Sequence, residues 1–129
     1  MRLALISLLV RDYDEAIAFY CGVMGFSLVE DSDLGGGKRW VVISGTGGGS
    51  MLLARAVGEQ EQAAVGNQFG GRVGLFVHVA DFDAARARLE LGGAQFEEHV
   101  RKEAYGKVAV FRDLYGNRWD LIEPESGNA

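Results

Sequence analysis

The chain has 129 residues, 48% of them apolar and 24% charged, a size and balance that suit one compact domain and leave no room for two independent ones. Thirteen Lys and Arg against eighteen Asp and Glu give a net charge of −5, which argues against a broad phosphate-binding surface, so no nucleic-acid partner is expected. The single Cys21 cannot form an internal disulfide. The longest apolar run, Leu3 to Val10, is too short to span a bilayer and no signal-peptide cleavage site follows it, so a cytoplasmic protein with no membrane partner is expected.

Arg2 to Val10 is almost continuously apolar and reads as a strand covered on both faces. The period then changes. Asp12 and Glu15 have the spacing of an acidic capping box, and Tyr13, Ala16, Ile17, Tyr20 and Met24 follow at helical intervals until Gly25. Phe26 to Glu30, Lys38 to Ser44 and Ser50 to Arg55 read as three strands, separated by an acidic, glycine-rich loop at 31–37 and a glycine hairpin at 45–49. A polar connection from Ala56 to Gly71 contains a short helix near Glu59 to Val65.

The same order of elements then begins again. Arg72 to Ala80 is a strand, and Asp81-Phe82-Asp83 repeats the spelling of Asp12-Tyr13-Asp14 at a second helix start. Gly92-Gly93 stops that helix, and Gln95 to Arg101, Lys107 to Arg112 and Arg118 to Glu123 supply three more strands. Ile43 to Leu52 aligns on Phe111 to Asp120 without a gap. An internal duplication of a βαβββ module accounts for this order, with module 1 at about 1–55, the connection at 56–71, module 2 at about 72–124 and a flexible tail at 125–129. Much of an unusual composition, nineteen glycines beside one proline, falls at the turns of the two modules.

Val10-Arg11-Asp12-Tyr13-Asp14-Glu15-Ala16-Ile17-Ala18-Phe19-Tyr20, followed by Met24-Gly25-Phe26, and the closing Phe111-Arg112-Asp113-Leu114-Tyr115-Gly116-Asn117-Arg118-Trp119-Asp120-Leu121 carry a resemblance. They are similar to the two ends of the glyoxalase, bleomycin-resistance and extradiol-dioxygenase superfamily, also called the vicinal oxygen chelate superfamily. The resemblance covers roughly residues 1–124. It implies an α+β fold in which two βαβββ modules form an open curved sheet around a cavity, commonly in a homodimer.

Fold alone does not give function. Metal enzymes of the superfamily take ligands from the first and last strand of each module, and the corresponding positions here are Leu5, Leu52, Gly74 and Asp120. Only Asp120 has a donor, against the roughly three protein ligands that a catalytic divalent ion usually takes. His78 shares the strand face of Gly74 but lies about 13 Å farther along. No cofactor is therefore expected, with a divalent metal as the lesser alternative. His99 reads as part of a solvated strand face.

Strand alternation places Ser7, Trp40 and Val42 on one inward face together with Leu5 and Leu52. In the second module it places Phe76, His78, Val108, Val110, Arg112, Arg118 and Asp120 inward. This mixture suits a small-molecule pocket, with Trp40 stacking on a planar ligand and Arg112 or Arg118 taking an anionic group. Against that, Trp40 filling the core and the arginines pairing with Asp120 stay open. The leading expectation is metal-independent binding of an apolar, planar or anionic compound. The alternative is a glyoxalase-like lyase, isomerase or thiol transferase, with an atypical metal site or with His78 or Asp120 as a metal-free general base; an interaction module without a small ligand also stays open.

Other motifs do not meet their mechanical requirements. Gly35-Gly36-Gly37-Lys38 is followed by Arg39 and a strand, where a phosphate loop needs a hydroxyl and a helix. Gly45-Thr46-Gly47-Gly48-Gly49 precedes a strand as well. Asp12, Asp14, Asp81 and Asp83 stand at helix starts, where carboxylates cap the backbone.

Overall fold

The computed structural model describes residues 1–125, so all but the first residue of the expected tail lies outside the described residues. The chain divides into two compact units, Met1–Gln68 and Phe69 onward. The first contains β1 (Ile6–Val10), α1 (Tyr13–Ile17), a π-helical continuation (Ala18–Val23), β2 (Ser27–Gly35), β3 (Lys38–Ser44), β4 (Ser50–Arg55) and α2 (Gly58–Ala64). Its sheet has the order β1-β4-β3-β2, with β1 parallel to β4 and the other pairs antiparallel.

Asp12 caps α1 by accepting a hydrogen bond from the Glu15 amide at 2.8 Å, while the Glu15 carboxylate takes the guanidinium of Arg11 at 2.9 Å. Beyond Ile17 the helix widens, and the Met24 amide reaches back five residues to the Phe19 carbonyl. This turn leaves the adjacent Phe19 and Tyr20 both buried, edge to face at 5.4 Å, which a regular 3.6-residue spiral makes harder. β1 starts at Ile6 rather than Arg2. β2 extends through the segment expected as an acidic loop, because Arg39 on β3 holds Asp31 through two hydrogen bonds at 3.0 and 2.7 Å and keeps the carboxylates on a paired strand.

The second unit contains β5 (Leu75–His78), α3 (Phe82–Leu91), β6 (Gln95–Phe96), β7 (Arg101–Glu103), β8 (Gly106–Arg112) and β9 (Arg118–Pro124). The sheet order is β5-β9-β8-β6, with β7 also on β8 and β5 parallel to β9. Asp81 caps α3 by accepting from the Ala84 amide at 3.1 Å. The single strand expected from Gln95 to Arg101 is interrupted. The Glu98 carboxylate accepts the Val110 amide at 2.8 Å, taking the place of a backbone carbonyl in the ladder, so the chain leaves β8 and rejoins it only at Arg101. His99 accordingly lies in this break and not on a strand.

The order of elements repeats from one unit to the other. β3 and β8 are both seven residues long and begin 68 positions apart, and α1 and α3 begin 69 apart. Each helix covers one face of its own sheet. In the first unit Leu8, Val10, Val41, Ile43 and Leu53 are buried on that face; in the second, Ala109, Phe111, Trp119 and Leu121 are. Phe111 stacks on Trp119 with centroids 5.9 Å apart.

The turn that joins β8 to β9 is built on Asp113, itself buried. Its carboxylate accepts the Tyr115 and Asn117 amides, the Asn117 side-chain amide and the Trp119 indole N–H, all at 2.9 to 3.0 Å. The closing motif is therefore a folding device: four donors, three of them in the interior, share one acceptor group.

Candidate functional site

The faces turned away from the helices carry the candidate residues, and each unit is described separately. In the first, cross-strand register places Ser7, Leu52 and Val42 in one row. Trp40 stands on the same face in the next row, opposite Ser32, and is partly exposed. Leu5 precedes β1. Sequence reasoning overlooked Gln68, whose side chain accepts the Leu9 amide at 2.8 Å and donates to the Ser7 carbonyl at 2.7 Å, satisfying the free edge of β1. A groove of about 420 Å³ at the β2–β3 turn is lined by Asp31, Asp33, Gly35 to Gly37 and Arg39. There Arg39 is held by Asp31 and Asp14, so its charge is already paired within the chain.

In the second unit Phe76, Asp120 and Val110 form one row, and His78, Ile122 and Val108 the next. Arg118 opposite Arg112 makes a third. Phe76 is 61% exposed, a large apolar surface for a strand residue. His78 is exposed, and among the described residues no side chain hydrogen-bonds it. Val108 and Val110 are buried.

Asp120 has one carboxylate oxygen, Oδ1, that is buried without a hydrogen-bond partner. Burial pushes its carboxyl above the usual range; Arg101 and Arg118 pull the other way without cancelling this, and Glu98 adds to the rise. The arginines do not pair with it. Arg118 grips Glu97 through two hydrogen bonds at 2.9 Å and donates to the Gly71 carbonyl at 3.1 Å. Arg112 reaches the same carboxylate at 2.9 Å. The Arg118 bond and then the nearby Arg112 charge hold Glu97 below the ordinary glutamate range. Glu97 was not singled out from the sequence, because only the break after β6 brings it beside both guanidiniums.

None of the positions corresponding to the superfamily's metal ligands assembles a donor set. Leu5 and Leu52 have no donor atoms, and Gly74 has no side chain. A Cβ built at Gly74 runs into the ring of Phe69, so the space a ligand there would need is filled. Among the described residues no three His, Cys, Asp or Glu side chains come together as a metal-binding group. The residues present do not fit a divalent ion at these positions.

A family model described as Glyoxalase/Bleomycin resistance protein/Dioxygenase superfamily matches residues 2–121. The chain belongs to this superfamily. An uncharacterized protein from Shewanella frigidimarina (strain NCIMB 400) is 48% identical over 121 residues, covering 92% of this chain and 90% of that one. Among solved structures of the glyoxalase-like fold, UcmS2 superposes with a TM-score of 0.77 at 28% identity, covering 95% and 98% of the two chains. TnmS3, an antibiotic binding protein from Streptomyces sp. CB03234, superposes with a TM-score of 0.74 at 27% identity, covering 97% of each. The superfamily's α+β architecture and open sheets are thus present in full, and antibiotic binding is a property of one of its structural neighbours. No helix among the described residues is long and apolar enough to cross a membrane.

Proposed function

We propose that this chain is a metal-independent small-molecule-binding protein of the glyoxalase/bleomycin-resistance superfamily, and that the helix-free face of its second sheet takes a planar, largely apolar compound. The observation that carries this reading is the row Phe76–Asp120–Val110. An exposed aromatic ring lies beside a carboxyl with a buried, unpartnered oxygen, giving one apolar platform and one orienting polar group, the usual make-up of a small-molecule site. Similarity to TnmS3 supports an antibiotic-like compound. An anionic ligand is less well supported, because Arg112 and Arg118 already share Glu97. In the first unit, the partly exposed Trp40 is proposed as a second stacking surface.

A thermal-shift screen of planar compounds tests the reading. A ligand of this face raises the melting temperature of the wild-type chain, and Phe76→Ala and Asp120→Ala each weaken it several-fold. Stoichiometric zinc, nickel, iron or manganese retained after dialysis against a chelator would overturn metal independence. Asp120 also favours a second reading, a metal-free enzyme with this carboxylate as general base. That reading requires turnover of an epoxide or hemithioacetal that vanishes in Asp120→Asn while binding persists.

A further inference from the structure

We infer that Phe69 is a ligand-contacting residue of the second sheet, its ring standing in for the side chain that Gly74 lacks and offering its outer face to a planar aromatic compound. This rests on the proposed reading of that sheet face as a small-molecule surface. The Gly74 amide donates to the Arg118 carbonyl at 3.2 Å, which continues the β5–β9 ladder by one step. By alternation a side chain at 74 stands on the face of Phe76. Gly74 is not among the residues with positive φ, so its backbone does not require glycine; the space above it does. A Cβ placed there meets Cγ, Cδ1 and Cδ2 of Phe69 together, an approach that only the flat face of the ring gives. The ring therefore lies on the strand, and Phe69 stays partly exposed.

The local chain is built to hold it there. Gly70 and Gly71 both have positive φ, +67° and +84°, and fold the backbone sharply after Phe69. Arg118, already gripping Glu97, donates to the Gly71 carbonyl and pins the turn. Arg118 is thus a positioning residue for the ring rather than a partner for an anion. Asp120, two residues beyond Arg118 on β9, lies diagonal to Gly74 on the same face of the sheet. The compound that fits has a flat aromatic body on Phe69 and a hydrogen-bonding group at its rim toward Asp120.

The fluorescence anisotropy of 1-hydroxypyrene, a flat hydrocarbon with one hydroxyl, titrated with the full chain reads this contact. Phe69→Leu keeps apolar bulk but removes the aromatic face, and roughly five- to tenfold weaker binding is expected, the range typical of an aromatic contact. Tyr105→Leu, an exposed aromatic on the β7–β8 turn, leaves binding unchanged. Equal binding by the wild-type chain and Phe69→Leu overturns the inference and leaves the wider reading standing. Absence of binding by the wild-type chain overturns it too, and the compound screen then decides the wider reading on its own. A ligand-free check keeps the geometry falsifiable should Phe69→Leu misfold: Gly74→Ala lowers the melting temperature in the wild-type background but much less beside Phe69→Ala. An equal loss in both backgrounds contradicts the placement of the ring.

Discussion

Two carboxylates on the second sheet have opposite linkages to pH. Glu97 is held below its ordinary value of 4.5 by Arg118 and Arg112, so its contribution to stability is complete above that value and is lost as pH falls through the folded-state pKa. Asp120 is raised above 3.8 by burial, so the folded state binds its proton more tightly than the unfolded chain does. Stability is therefore lost as pH rises from near 3.8 through the raised value. Asp120→Asn removes this loss, and its melting temperature relative to wild type is expected to climb between pH 4 and pH 7. A constant offset across that range contradicts the assignment. Asp120 was legible in the sequence because strand alternation and the closing motif fix its row. Its missing partner was not, since Arg112 and Arg118 are drawn off by Glu97, a residue placed by a break in pairing that periodicity does not show.

Capped helices and glycine turns carried most of the legible information among the elements. The Asp12 and Asp81 caps and the equal lengths of β3 and β8 follow from local rules of period and capping. The departures each depend on a tertiary contact. The acidic loop became strand because Arg39 pairs with it, the helix widened to bury two neighbouring aromatics, and Glu98 replaced a backbone acceptor on β8. The β8–β9 turn shows how a motif shared with a family can serve folding alone. Asp113→Ala removes the carboxylate that accepts from three buried donors and the part-buried Tyr115 amide, and a loss of about 3 kcal/mol or more in unfolding free energy is expected. Chemical denaturation measures it. A loss under about 1 kcal/mol would mean that water replaces the carboxylate there.

For the molecule as a whole, two βαβββ units keep the superfamily's scaffold while the positions that hold metal in its enzymes carry leucine, glycine and a lone aspartate. Much of each unit's core lies on the helix side of its sheet, with Val42, Val108, Val110 and Ile122 buried on the other face. On that face of the second unit the Phe69 ring fills the space over Gly74 and Phe76 is exposed. The proposed function rests on this aromatic surface in place of donor atoms. Isothermal titration of the strongest planar compound from the screen into chelator-dialysed protein, repeated after zinc is restored, tests it most directly. The same affinity is expected in both titrations, with Phe76→Ala weakening it equally in each. Binding that appears only after zinc is restored would contradict it.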